Sequence, residues 1–317
     1  MSTVPYISWL GHGAACLSPP GVFTDARATI FAIVANQKAM QALTDKLLNP
    51  AGCGQVYYEA AAPLAVISFL DIARCTSGTD VIGWLPGREC ALWVPLIERR
   101  TGESARERLV FWSPYIFIDY AIGMVTGREI WGWPKVLAKI SVADDNPDHA
   151  SYACATTVFP TLSLDTPGVT DTLLRVTTNG AKSMQRRVTS WRTTEEADRA
   201  IKGSLLANLD ETLVRTCSAL PLSPCVALKQ FRDPADATRA CYQAICDSPV
   251  ELTQFKGGGL LTGDFALEVT TCMSHPIVQD LTGQAPQPQA TRLQVWFAAW
   301  SLFDFQALGG GNIVVAR

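Results

Sequence analysis

Short runs of apolar or alternating residues, each cut off by Pro, Gly or Asp, recur along the whole chain and constrain its fold more than any other feature. They span residues 64–70, 90–96, 109–119, 136–143, 151–159, 171–178, 223–229, 260–270 and 293–303, with turn signals such as DDNPDH and DTPG between them. Runs of this length and pattern read as strands, and strands joined by polar turns pair mainly antiparallel. Helices are sparse: the pattern predicts them over 37–48, 194–208 and 233–246, the last opened by Asp233-Pro234 with an acid-rich first turn. No internal repeat is evident, and apolar strands resume after a polar stretch at about 180–215. The expectation is a single domain over 1–317 that carries a polar insertion there.

A hydrophobic content of 48% with 17% charged residues supports a large core and a fairly apolar surface, which favours association of copies. A net charge of −3, with no basic block and no RNA-reading aromatic motif, argues against a nucleic-acid partner. The start MSTVPYISWLGHGAA lacks the basic head and sustained apolar core of a secretory signal, and no apolar stretch reaches the roughly 18 residues of a membrane span. The expected compartment is therefore the cytoplasm, with no membrane partner. The ten cysteines form no C-x-x-C pair and several sit in apolar runs, so they read as buried free thiols in a reducing compartment. His12, His149 and His275 are too few and too scattered for a histidine-based metal site. Gly257-Gly258-Gly259 and Gly309-Gly310-Gly311 are flexible turns that match no phosphate-binding fingerprint, and 282–292 is a loop.

The chemistry concentrates in GREIWGWPKVLAK, residues 127–139, where Lys135 stands behind a Gly-Trp-Pro turn among Trp131, Trp133, Val136 and Leu137. Two readings apply. A lysine beside aromatics often lays its stem on them and keeps its ammonium in water. If the head group is instead stripped of water, the neutral, nucleophilic amine is favoured. Arg128 and Glu129, taken as neighbours in a strand, face opposite sides and cannot both line one pocket, so they read as structural. Lys229 and Arg232 in LKQFRD are either an anion-binding pair or a solvated strand end.

The segment resembles the active-site stretch of the acetoacetate decarboxylase family, where a Gly-Arg-Glu run precedes an aromatic-Pro-Lys whose lysine forms a Schiff base with a keto acid. Here those elements are Gly127, Arg128 and Glu129, then Trp133, Pro134 and Lys135. Two further stretches are similar. Residues 30–52 read as a strand, a polar turn and a short amphipathic helix with Met40, Leu43, Leu47 and Leu48 at helical spacing, ending at Asn49-Pro50. In GRECALWVP, residues 87–95, Glu89 precedes Val94-Pro95 as the family's active-site glutamate precedes its own Val/Ile-Pro pair. On its own spacing Glu89 is either a strand-end carboxylate in water or one carried towards the core. Charged residues 98–108, ERRTGESARER, read as the place where the chain takes up a longer loop.

The resemblance implies an α+β fold built on a mainly antiparallel, barrel-like or cone-like sheet, assembled as a homo-oligomer. It implies Lys135 and Glu89 as catalytic residues, beside which Trp131 and Trp133 are expected to exclude water or line the pocket. The substrate carboxylate is expected to meet an arginine just before the first strand. Arg27 is the nearest candidate, one residue from the expected place, an offset that turns a strand side chain to the other face unless a bulge restores it. Decarboxylases proper follow the reactive lysine with a second lysine, where this chain has Val136. The expected chemistry is therefore decarboxylation of a β-keto acid, or aldol condensation and dehydration of an α-keto acid, without metal or organic cofactor. A silent small-molecule-binding protein of the same fold and a thiol enzyme using Cys272 and His275 are the alternatives.

Overall fold

The computed structural model describes residues 5–9, 11–13, 16–102, 105–142, 152–178, 186–197, 199–200 and 224–316. In chain order it contains β1 (Gly21–Val34), α1 (Gln37–Leu47), β2 (Val56–Ala60), β3 (Leu64–Ser77), β4 (Leu85–Arg100), β5 (Arg106–Ile118) and α2 (Ala121–Thr126). Then come β6 (Lys135–Ser141), β7 (Tyr152–Val158), β8 (Val169–Thr178), β9 (Arg186–Trp191), β10 (Cys225–Arg232) and β11 (Ala240–Ser248). The chain finishes with β12 (Val250–Thr262), β13 (Phe265–Thr270), α3 (Ile277–Thr282), β14 (Ala290–Ala307) and β15 (Asn312–Ala316).

Hydrogen-bonded neighbours run β5-β6-β7-β8-β13-β14-β1-β3-β4, and β4 pairs back onto β5, so the sheet closes into a ring. β5 lies parallel to β6 and to β10, and the other pairings are antiparallel. This is the α+β, barrel-like sheet that the resemblance implies, with the mainly antiparallel pairing that the sequence pattern predicts. Closure removes the free edges that long apolar strands would otherwise expose to other chains.

The period-two pattern gives β1, β3 and β4 two different faces. One face carries Phe31, Ile33, Ile67, Phe69, Cys90 and Leu92 into the main core, where they meet Tyr152 and Leu267 from the far side of the ring. The Phe31 ring packs edge-on against Phe69, Tyr152 and Phe265 at 5.1–6.3 Å between centroids. Each such side chain contributes about 1.5–3 kcal/mol by leaving water. The opposite face, including Ala28, Ile30, Ser68, Leu70, Glu89 and Trp93, lines a cavity.

Helix α1 forms where periodicity places it. Asn36 caps it, its Oδ1 accepting from the Lys38 and Ala39 amides at 2.9 and 3.1 Å, and Asn49-Pro50 turn the chain into a short 3-10 turn. Met40, Leu43 and Leu48 are buried, whereas Leu47 is exposed.

Several expectations change. The predicted helix over 233–246 is a turn followed by β11. Asp233 and Asp236 accept from the Ala235 and Thr238 amides at 2.8 and 3.0 Å, holding the turn, and β10 and β15 then pair with the next residues as a strand. The run 260–270 is two strands, because β14 pairs with β12 along one half and with β13 along the other, with Gly263-Asp264 at the break. The charged stretch 98–108 is the end of β4 and start of β5 rather than a plain loop. Its Glu98 is fully buried and receives Arg100 Nε at 2.8 Å and Arg108 Nε at 2.9 Å.

Within the predicted insertion, β9 pairs with β12, Trp191 is buried, and residues 194–197 are helical. Most of the remainder of that stretch, with His149 and Cys217, lies outside the described residues. The described cysteines are free thiols, of which Cys53 and Cys241 are exposed. Among the described residues no helix is long and apolar enough to cross a membrane.

Candidate active site

The GREIW segment does not continue as a strand. Residues 127–131 form a wide helical turn after α2, and Gly132 reverses the chain at φ 78°, a left-handed conformation that glycine adopts without strain. A Cβ at Gly132 would also lie 2.4 Å from Lys229 Cα on β10, which crosses there. Pro134 biases Trp133 towards extended backbone, and Lys135 enters β6 opposite Ile116. The premise that Arg128 and Glu129 alternate in a strand therefore fails, although both residues do face away from the cavity lining. Arg128 Nη1 donates to the Lys135 carbonyl at 3.3 Å, and Glu129 accepts from Tyr6 at 3.4 Å.

Lys135 is 6% exposed. Its stem crosses Gly127, where a Cβ would stand only 2.6 and 2.7 Å from Cδ and Cε. The Nζ atom lies 2.6 Å from Glu89 Oε2 and 4.8 Å from the centre of the Trp133 ring. Glu89 reaches it from β4, where it pairs across the sheet with Leu70 and Ile118. The lysine thus takes the buried reading of its sequence, and the carboxylate is carried inward to it.

Both groups open into a cavity of about 180 Å³. Its wall is mostly Phe, Ile, Leu, Trp and Val from β1, β3, β4, β5, β12 and β14. Tyr120 adds a phenol whose pKa burial raises, with the charges of neighbouring Cys75, Glu89 and Asp119 adding to the effect, so it stays protonated. Ser68 Oγ is occupied by the Trp93 indole N–H at 2.8 Å. Trp133 lines the cavity, and among the described residues its buried Nε1 has no hydrogen-bond partner. Trp131 stands behind it, stacked at 5.2 Å and donating to the Leu308 carbonyl at 2.8 Å, and lines a smaller cavity of about 40 Å³ that shares Trp133, Tyr120 and Lys135 with the first.

Arg27 is not brought into the cavity. A bulge does interrupt β1, with Asp25 at φ 53° and Lys256 joining Asp25 to Asp304 at 2.6 Å each. It lies before Arg27, so it places Phe23 on the same face as Ala28 and leaves Arg27 on the other. There Arg27 falls in a cross-strand row with Asp71 and Arg88. Arg88 is among the lining residues, but its guanidinium is engaged with Asp71 Oδ1 at 3.1 Å and the Ile140 carbonyl at 3.4 Å.

Val136 and Leu137 are more than a third exposed and do not line the cavity, so they do not help desolvate the amine. The residues missed in the sequence are Phe23, Phe303 and Phe305 with Val250 and Cys225, much of it from the C-terminal half. Their one sequence signal is the alternation Ser301, Phe303, Phe305, Ala307 along β14.

The other candidate pairs do not assemble. Cys272 Sγ lies 3.9 Å from the backbone carbonyl of His275, while His275 Nδ1 is bonded to Ser274 Oγ at 2.9 Å and burial lowers the imidazole's pKa. Lys229 Nζ donates to the Ile130 carbonyl at 3.5 Å and Arg232 to that of Ala237 at 2.5 Å. Among the described residues no cluster of three or more His, Cys, Asp or Glu is placed to hold a metal ion.

A ring-closed sheet enclosing a buried lysine–carboxylate pair defines the class. The sequence model of the family described as Acetoacetate decarboxylase (ADC) matches residues 8–165. The chain belongs to the acetoacetate decarboxylase family.

Solved structures of the same fold include acetoacetate decarboxylase from Legionella pneumophila, at 14% identity over 99% of both chains and a TM-score of 0.60. Others are the enduracididine biosynthesis enzyme MppR complexed with pyruvate, at 14% identity over 96% of this chain and 93% of that one, TM-score 0.54, and an acetoacetate decarboxylase-like enzyme from Sphingomonas wittichii, at 13% over 94% and 93%, TM-score 0.53. No curated protein matches the sequence significantly.

Proposed function

We propose that this protein decarboxylates a β-keto acid through a Schiff base on Lys135. The observation that carries the reading is the buried Nζ, 2.6 Å from Glu89 in an otherwise apolar cavity. Attack on a ketone needs the neutral amine, and Glu89 Oε2 is placed to take the proton that the ammonium must shed. The amine adds to the ketone carbon, the protonated Glu89 gives its proton to the oxygen, and Glu89 then carries one proton from the nitrogen to the same oxygen, which leaves as water. The resulting iminium accepts the electron pair of the breaking C–C bond as carbon dioxide departs. Protonation of the enamine carbon and hydrolysis by water then release the ketone and restore the amine.

The geometry favours this reaction over an aldol. An aldol donor such as pyruvate keeps its carboxylate throughout and gains from a fixed cation, but the guanidinium of Arg88 is engaged with Asp71 and Arg27 faces away. A carboxylate set in this apolar wall loses hydration, and expelling carbon dioxide relieves that cost.

Borohydride trapping followed by intact-mass measurement tests the proposal. Incubation with acetoacetate or a longer 3-oxo acid should give a reduced adduct on Lys135 that has lost carbon dioxide. Lys135→Ala should be folded and give no adduct and no turnover. An adduct that retains the carboxylate, or one formed on another lysine, would overturn the assignment.

A further inference from the structure

We infer that the preferred substrate carries an apolar group on its ketone, larger than the methyl of acetoacetate, and that a second carboxylate in that position is rejected. The inference deepens the reading above and borrows from it only the position of the ketone carbon at Lys135 Nζ. Around the Lys135–Glu89 pair much of the cavity lining is aromatic and aliphatic. Phe23 stacks on Phe305 at 4.5 Å between centroids, Phe303 meets Phe305 at 5.6 Å, and Leu70 and Ile72 join them.

This wall offers little to a polar substituent. Ser68 is bonded to Trp93, and the other small polar groups of the lining are the Tyr120 phenol, the Cys225 thiol and the Ser301 hydroxyl. The guanidinium of Arg88 is held by Asp71 and the Ile140 carbonyl. A methyl ketone leaves much of this surface wet, since the cavity of about 180 Å³ exceeds the roughly 150 Å³ that accommodates a benzene ring. Extending the ketone substituent by methylenes removes that water, whereas a carboxylate placed there is desolvated without a partner.

The test is a comparison of kcat/KM for acetoacetate, 3-oxohexanoate and 3-oxoglutarate with the unmodified protein. Two added methylenes should raise kcat/KM by roughly tenfold. The second carboxylate should lower it at least about 10²-fold relative to 3-oxohexanoate. Phe303→Ala, checked for folding by thermal melting, should shrink the preference for the longer acid, and the comparison with the unmodified protein stands without it. Equal rates for the three acids, or preference for 3-oxoglutarate, would overturn the inference.

The corresponding 3-hydroxy acids cannot form an imine, so calorimetric binding of 3-hydroxybutyrate, 3-hydroxyhexanoate and 3-hydroxyglutarate examines the cavity apart from the chemistry. If they rank as expected while no keto acid is turned over or trapped, the Schiff-base reading falls and the substrate inference survives. Turnover of keto acids without any such ranking overturns the substrate inference and leaves the Schiff-base reading in place.

Discussion

Replacing Gly127 by alanine should disable the site while leaving the fold in place. Gly127 has φ −60° and ψ −40°, a helical conformation open to any residue, so the backbone accepts the change. The new methyl would stand 2.6 Å from Lys135 Cδ and 2.7 Å from Cε. Comfortable carbon contacts are about 3.5–4.0 Å, so the lysine stem must retreat by roughly 1 Å. The atoms that give way are the far end of a flexible side chain. The strain is about 0.5–1.5 kcal/mol for an off-rotamer stem, set against a gain of up to about 1 kcal/mol for alanine over glycine in a helical turn. Net stability should therefore stay within about 1 kcal/mol, while a 1 Å misplacement of a reacting group costs about 10²-fold in rate.

The assay is the single-turnover rate of borohydride-trapped adduct, with chemical denaturation run in parallel. In a Lys135→Ala background the three atoms nearest the methyl are gone, so Gly127→Ala should then be stabilising by up to about 1 kcal/mol, and the cycle isolates the contact. Trapping within a few-fold of the unmodified rate, or an identical stability change in both backgrounds, would refute the reasoning.

Three further outcomes follow from the same geometry. Glu89→Gln should slow turnover by roughly 10²–10⁴-fold, measured as carbon dioxide release, because the proton acceptor beside Nζ is lost. Val136→Lys should change neither turnover nor the pH profile of trapping more than about twofold, since position 136 faces solvent and the new charge is screened there. Glu98→Gln should destabilise the protein by about 3 kcal/mol, the lower end for a broken buried ion pair, because Arg100 and Arg108 keep 17% and 21% of their side chains in water. Burial raises the Glu98 carboxyl pKa, but hydrogen bonds and charge from Arg108 and Arg100 outweigh it and hold it below its ordinary value. Its stabilising contribution is thus complete above the ordinary glutamate range and fades as pH falls through it. Denaturation curves from neutral pH down to about pH 3 should show a loss that Glu98→Gln flattens.

Lys135 and Glu89 were legible in the sequence because each is marked by close neighbours: a glycine that must pass under the stem, a proline that sets the strand entry, a Val-Pro pair at fixed spacing. The strands were legible for a similar reason, since period-two patterning is written locally. Period two, however, says that a strand has two faces without saying which of them is packed and which lines a cavity. Val136 and Leu137 look apolar beside Lys135 yet turn outward, while Phe303 and Phe305, well over a hundred residues away, supply the wall. Arg27 shows the same limit in a sharper form. Its face is decided by where the bulge falls, and that bulge is held by Lys256 bridging Asp25 and Asp304, partners that no local reading of β1 brings together. The misread helix at 233–246 belongs with these cases. Its residues tolerate either conformation, and the deciding hydrogen bonds come from β10 and from β15 at the far end of the chain. The sequence therefore exposes the buried lysine–carboxylate pair, but much of the cavity wall around it is assembled by long-range pairing. Variation at β1, β3 and β14 should accordingly change what this site accepts without changing what it does.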